Sequence, residues 1–206
     1  MATDTGVLVI ACGALAHEIV ALRAINGWSH VDVSCLPAEL HNRPNLIPQA
    51  VREKIRSNRG RYRSIFVAYA DCGTGGLLDV VLKEEGVERI PGAHCYEFFA
   101  GHEAFAALAD EEPGSFFLTD FLLRHFDRLV IRGLGLDRHP ELLPQYFGNY
   151  RRLVYLAQLP PTSEQLEQGL AAARRLGLDF EHRVTGYGLL QTSLQSAQEE
   201  KISWQN

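Results

Sequence analysis

Short apolar runs alternate along this chain with stretches whose apolar residues recur every three or four positions. Residues 6–11 are apolar without a break, which predicts a strand buried on both faces, as in a parallel sheet. Cys12-Gly13 makes a turn. Residues 14–25 then carry Leu15, Ile19, Leu22 and Ile25 at helical spacing, until Gly27 stops them. A second strand is predicted over 31–35, ending on Cys35. The connection after it, residues 36–44, holds two prolines and is longer than a routine strand-to-helix loop. Residues 47–57 form a basic amphipathic helix with Ile47, Val51 and Ile55 on one side. A third strand over 64–70 runs into Asp71-Cys72, and the turn Gly73-Thr74-Gly75-Gly76 opens a helix over 76–86.

The same alternation continues. Arg89-Ile90 reads as a short strand and Pro91 to Cys95 as a tight turn. Residues 96–109 read as one helix burying Phe98, Phe99, Phe105 and Leu108. Pro113-Gly114 breaks the chain, 116–118 is a strand, and Thr119 caps a helix over 120–130. A linker over 133–140 precedes a helix over 140–149 and a strand over 152–157. Thr162 caps a helix over 162–176 with Glu164-Gln165 in its first turn, and 180–184 is the last strand. The expected fold is α/β, a mainly parallel sheet with helices on both faces, a Rossmann-like three-layer sandwich. It is expected as a single domain over 6–190, with a polar tail over 191–206 that frays or serves a contact. In such sheets ligands bind beyond the carboxyl ends of the strands. The loops there hold Cys12, Cys35, His41, Asp71, Cys72, His94 and Cys95.

Composition narrows the function classes. The chain has 206 residues, 46% hydrophobic, with a formal net charge of −5, an ordinary globular balance. The acidic balance argues against nucleic acid or an anionic membrane as partner. The run Val7 to Ala11 is too short to span a bilayer, and only Thr3-Asp4-Thr5 lies before it, so no signal peptide is read. A cytoplasmic location is expected. In a reducing compartment four cysteines point to thiols or ligands rather than disulfides.

Soft thiolates and imidazoles together suit zinc, with an iron–sulfur cluster as a variant. The absence of a close C-x-x-C pair excludes a zinc ribbon. Ligands drawn from separate loops are the catalytic style of site, with an open position for substrate. The candidate ligands are Cys12, Cys35, His41, Cys72, His94 and Cys95. The plain alternative is that each cysteine is a small buried hydrophobe. A second candidate is the turn itself. Gly73, Thr74, Gly75 and Gly76 follow Asp71 in a D-x-G-x-G pattern whose amides can cradle a nucleotide or S-adenosylmethionine. That loop normally follows the first strand of its fold, and here two strands precede it. The glycines serve equally as a tight turn. Glu18, beside His17 on the first helix, and Glu97 are candidate proton-transfer or imidazole-orienting carboxylates. Tyr146-Phe147 and Tyr150 with Arg151-Arg152 suit an anion clamp or plain packing. No G-x-S-x-G elbow exists for a serine hydrolase.

Four segments carry a resemblance: Ala11-Cys12-Gly13-Ala14-Leu15, Leu36 to Pro44, Tyr69 to Gly76, and Pro91 to Glu97. With Asn149-Tyr150 and Val154 to Gln158 they make the chain similar, over roughly residues 6–190, to the bacterial and archaeal domain-of-unknown-function family 1638. Members of that family accompany corrinoid-dependent methyltransferase systems handling methylated amines and betaines. The resemblance therefore implies one-carbon transfer by association. It also implies a corrinoid protein or methyltransferase as a partner. A small-molecule substrate and a homo-oligomer are expected apart from the resemblance. Zinc suits alkyl transfer, because it keeps a sulfur nucleophile deprotonated at neutral pH. The leading expectation is a zinc-thiolate enzyme. The alternatives are a non-enzymatic accessory that delivers metal or corrinoid, and a nucleotide or S-adenosylmethionine binder.

Overall fold

The computed structural model describes residues 6–199. The chain divides into two compact units, one built from residues up to Phe98 together with Leu189 onward, the other from Phe99–Gly188. Each unit has its own parallel sheet.

The first unit contains β1 (Val7–Cys12), α1 (Ala16–Ile25), β2 (Val31–Leu36), α2 (Ile47–Asn58), β3 (Ser64–Ala68), α3 (Leu77–Glu85) and β4 (Glu88–Arg89). Its strand order is β2-β1-β3-β4, all parallel. All six residues of β1 are buried, as its unbroken apolar run predicts for a central strand. Right-handed crossovers in this order put α1 on one face of the sheet and α2 and α3 on the other. The ends of α2 and α3 are joined by Glu85. Its buried carboxylate accepts from Arg56 Nε at 2.8 Å, Arg59 Nη2 at 2.8 Å and Arg52 Nη1 at 3.3 Å. The strand order reverses between β1 and β3. That is the switch point where the loops from two strands part and leave a crevice at the carboxyl edge.

α4 (Glu97–Ala100) follows. The second unit then holds α5 (His102–Glu111), β5 (Ser115–Thr119), α6 (Asp120–Arg124), α7 (Leu143–Phe147), β6 (Arg152–Ala157), α8 (Ser163–Leu176) and β7 (Asp179–Val184). Its sheet runs β5-β6-β7, again parallel. A core of Leu118, Leu123, Leu153, Tyr155, Ala173 and Leu176 with their neighbours fills the space between sheet and helices. α8 opens with the capping box expected from Thr162 and Gln165: Thr162 Oγ1 accepts from Gln165 N, and the Gln165 side chain accepts from Thr162 N. Such a cap stabilises a helix by about 1 kcal/mol.

Several boundaries differ from the sequence pattern for local reasons. The predicted helix over 96–109 is two helices, because Gly101 sits at φ +81°, outside any right-handed helix. The helix over 120–130 stops at His125 and passes into a single wide turn over Asp127–Ile131, closed by Arg132 N to Asp127 O at 2.8 Å. The long connection after β2 is wound into 3-10 turns at Ala38–Asn42 and Pro44–Leu46. The expected tail over 191–206 is helical as far as Glu199, in α9 (Gly188–Glu199), with Leu190 and Leu194 buried. Residues 200–206 lie outside the described residues. Among the described residues no helix is long and apolar enough to cross a membrane.

Candidate functional site

The loop after β3 departs from ordinary backbone geometry. Cys72 has φ +50° and is the one non-glycine residue with positive φ among those described. Such a conformation costs about 1–3 kcal/mol and persists only where its surroundings hold it. The restraint comes from Asp71. Its Oδ1 accepts from Thr74 Oγ1 at 2.6 Å and from Gly76 N at 2.8 Å, and its Oδ2 accepts from Gly75 N at 3.1 Å. Burial works to raise the Asp71 pKa. The bonds from Thr74, Gly76 and Gly75 outweigh it and hold the carboxyl below its ordinary value. Gly73, Gly75 and Gly76 all have positive φ, and a side chain at 75 or 76 would meet nothing within 4 Å. Those glycines are present for their dihedrals rather than for room. Because Gly75 and Gly76 already donate to Asp71, an anion bound at these amides would have to displace that carboxylate.

The strained turn is laced to the 92–95 loop. Asp71 N donates to Gly92 O at 3.0 Å and Cys72 N to Ala93 O at 2.9 Å. From beyond, Glu97 Oε2 accepts from Ala93 N at 2.8 Å and His94 N at 3.3 Å. Arg89 pairs with both oxygens of Asp79, at 2.6 and 2.9 Å, and donates to Ile90 O at 2.8 Å and Gly92 O at 3.2 Å. This double ladder places Cys72 Sγ 3.1 Å from Cys95 Sγ. Cys72 is buried and Cys95 half-buried. Either sulfur can donate in this contact. The bond to Cys95 lowers the Cys72 pKa against the effect of burial, with the backbone at Ala70 and Cys95 assisting. The shared proton and burial push Cys95 well up.

A third thiol and a phenol belong to the same cluster. Ala11 pairs with Ala68, so Cys12 at the end of β1 lies one row beyond, level with Tyr69. Burial pushes the Cys12 thiol up to about 11, and it senses charge on Cys72. The Tyr69 hydroxyl is buried and makes no hydrogen bond of ordinary geometry. Burial, then the nearby thiols Cys12, Cys95 and Cys72, drive its pKa far up, so it stays a phenol facing the sulfurs.

The other candidates are distributed around this centre. His94 stacks on Tyr96 with ring centroids 4.9 Å apart. Desolvation lowers its pKa, while Glu97 and Asp71 pull upward. His41 is also lowered, by desolvation and then by the like charge of His94, so the two imidazoles share one neighbourhood. Cys35 stands apart. It is exposed, and desolvation raises its pKa against the opposing pull of Lys54. Glu18 is buried on α1 while His17 is exposed, the reverse of a solvated pair. In the second unit, the expected arginine clamp is engaged in structure: Arg152 bonds Ser115 Oγ at 2.9 Å, Glu181 Oε2 at 3.0 Å and Leu108 O at 3.3 Å. Phe116 meets Phe147 and Tyr150 edge to face, and Phe147 and Tyr150 are tilted against each other.

Thiol chemistry suits zinc. Among the described residues no three His, Cys, Asp or Glu side chains are placed to hold one ion. Zinc–sulfur bonds of about 2.3 Å at tetrahedral angles separate two sulfurs by about 3.8 Å. The Cys72 and Cys95 sulfurs, 3.1 Å apart, stand closer than that. Two functional groups escape a reading by motif. Tyr69 ends an apolar strand, where a tyrosine reads as core. Arg89 reads only as part of a short strand before Pro91-Gly92.

No curated protein and no solved structure matches the chain. Cys35, His41, Cys72, His94 and Cys95 fall inside residues 35–194, the stretch that matches a family model, and Cys12 and Glu18 fall before it. That family is described as protein of unknown function (DUF1638), and since the match takes in most of the sequence, the chain belongs to it.

Proposed function

We propose that this protein is an enzyme that acts through the Cys72 thiolate on an electrophilic small molecule at the β1/β3 switch point, with group or one-carbon transfer as the reaction class. The observation that carries this reading is the 3.1 Å contact from Cys95 Sγ to a Cys72 held at φ +50°. Strain kept at a thiol, with a hydrogen bond that favours its charged form, is how a sulfur nucleophile is prepared. Reduced thiols in such a site fit the cytoplasm. Alkylation by iodoacetamide across pH tests it. Cys72 is expected to react with a midpoint below the free-thiol value of about 8.5. A Cys72 that reacts only once the protein is unfolded would sink the reading.

A zinc-bound form of the same cluster is a second reading, favoured by Cys12, whose thiol senses both Cys72 and Cys95. Cys12, Cys72 and Cys95 would then be the ligands. Metal analysis of anaerobically purified protein beside Cys72→Ser decides it, and equal metal content in both proteins counts against it. In that form a corrinoid protein or methyltransferase is the natural partner, and its co-purification without turnover would favour an accessory role.

A further inference from the structure

We infer that Cys72 and Cys95 form a redox-active dithiol that exchanges with a low-molecular-weight disulfide, cycling between two thiols and one internal disulfide. The inference rests on the proposal that Cys72 is a reactive thiolate and names one class of electrophile it meets. The sulfurs are 3.1 Å apart. A disulfide needs about 2.05 Å, so closure requires an approach of about 1 Å, within reach of small side-chain rotations. The backbones are already fixed side by side by the Asp71–Gly92 and Cys72–Ala93 bonds, and Glu97 pins the far side of the 92–95 loop. Closing the bond therefore orders little that is not ordered already.

The exchange balances in two steps. The Cys72 thiolate attacks one sulfur of R–S–S–R, forming Cys72–S–S–R and releasing RS⁻, which takes a proton from solvent. Cys95 then loses its proton, its sulfur attacks the Cys72 sulfur, and a second RS⁻ leaves and is protonated. Two cysteine thiols are oxidised and one small disulfide is reduced to two thiols. The buried Tyr69 hydroxyl, free of any nitrogen or oxygen partner, faces the sulfurs and can donate to the charge that passes over them.

The test uses the full chain carrying Cys35→Ser, so that the exposed thiol does not contribute. Reduced protein is treated anaerobically with hydroxyethyl disulfide and mapped by peptide mass spectrometry. The expected product is an internal Cys72–Cys95 disulfide that dithiothreitol reverses. Adding Cys95→Ser should trap one mercaptoethanol adduct on Cys72, and adding Cys72→Ser should abolish the reaction, with circular dichroism and a Cys→Ala pair as folding controls. A pair that stays reduced, or stops at the mixed adduct in the protein with both cysteines, overturns the inference. If Cys72 still alkylates rapidly at neutral pH in that protein, the thiolate reading survives; if it does not, both readings fall.

Discussion

The two units solve the same problem at the carboxyl edge of a parallel sheet in opposite ways. In the second unit the polar groups at that edge satisfy one another. Gln158 Oε1 accepts from Asp120 N at 3.0 Å, and Gln158 Nε2 donates to Leu156 O at 2.6 Å. Tyr155 Oη donates to Asp120 at 2.5 Å, and Thr119 caps Leu122. In the first unit the edge keeps a phenol that faces thiols and whose hydrogen bond has no ordinary geometry, a cysteine in left-handed backbone and two thiols in contact with each other. Both edges lie at the carboxyl ends of parallel strands, but the strand order reverses only in the first sheet. Strain and incomplete satisfaction single out the first. The carboxylates at the two edges differ in the same sense: Asp71 titrates low because its turn donates to it, whereas burial raises Asp120 despite the Tyr155 bond.

Removing Asp71 should break this comparison most severely. Asp71→Ala takes away the acceptor for three donors and frees Thr74, Gly75 and Gly76. A loss of about 3 kcal/mol in unfolding free energy is expected by urea titration, together with loss of selective Cys72 alkylation. The pH dependence follows from the depressed pKa. The Asp71 contribution is fully present above the unfolded value of about 4 and is lost as pH falls through the folded value. Asp71→Asn should flatten that acid limb. An unchanged limb would mean that Asp71 does not hold the turn.

In the second unit, Tyr155→Phe removes one buried donor and should cost about 1–2 kcal/mol in the same measurement. Asp120 carries the opposite sign of pH dependence. Its folded pKa is raised, so the native state holds the proton longer. Its contribution is fully present below the unfolded value and declines as pH rises through the folded one. Asp120→Asn should remove this decline and leave the Asp71 acid limb intact. If both limbs vanish together, the two edges are not independent.

Much of this was legible in the sequence. The unbroken apolar run of β1 and the Thr162 capping box predicted a buried central strand and a helix start, and both are present. The carboxyl-edge placement of Cys12 and Cys72 followed from strands ending there. What the pattern could not give was distance. Nothing in the spacing of 72 and 95 distinguishes sulfurs in contact from sulfurs 10 Å apart, because the contact depends on backbone bonds to Gly92 and Ala93. The division into two units was hidden for a similar reason: alternating strands and helices look the same whether their hydrogen bonds close one sheet or two. The 96–109 helix was misjudged because its apolar spacing continues across Gly101, whose φ only the fold reveals.

The smallest effect sharpens the role of the Cys95 proton. If the Cys95 S–H is what lowers the Cys72 pKa, Cys95→Ala should raise it and slow iodoacetamide alkylation of Cys72 at pH 7 by roughly 3- to 10-fold, about 1 kcal/mol. Cys95→Ser keeps a donor at the same place and should recover part of that loss, whereas a purely steric role for Cys95 would leave the two variants alike. The discriminating readout is the midpoint of the rate–pH profile. It should rise in Cys95→Ala and return toward the wild-type value in Cys95→Ser. A change in plateau rate without a change in midpoint would show that Cys95 controls access to Cys72 and not its charge.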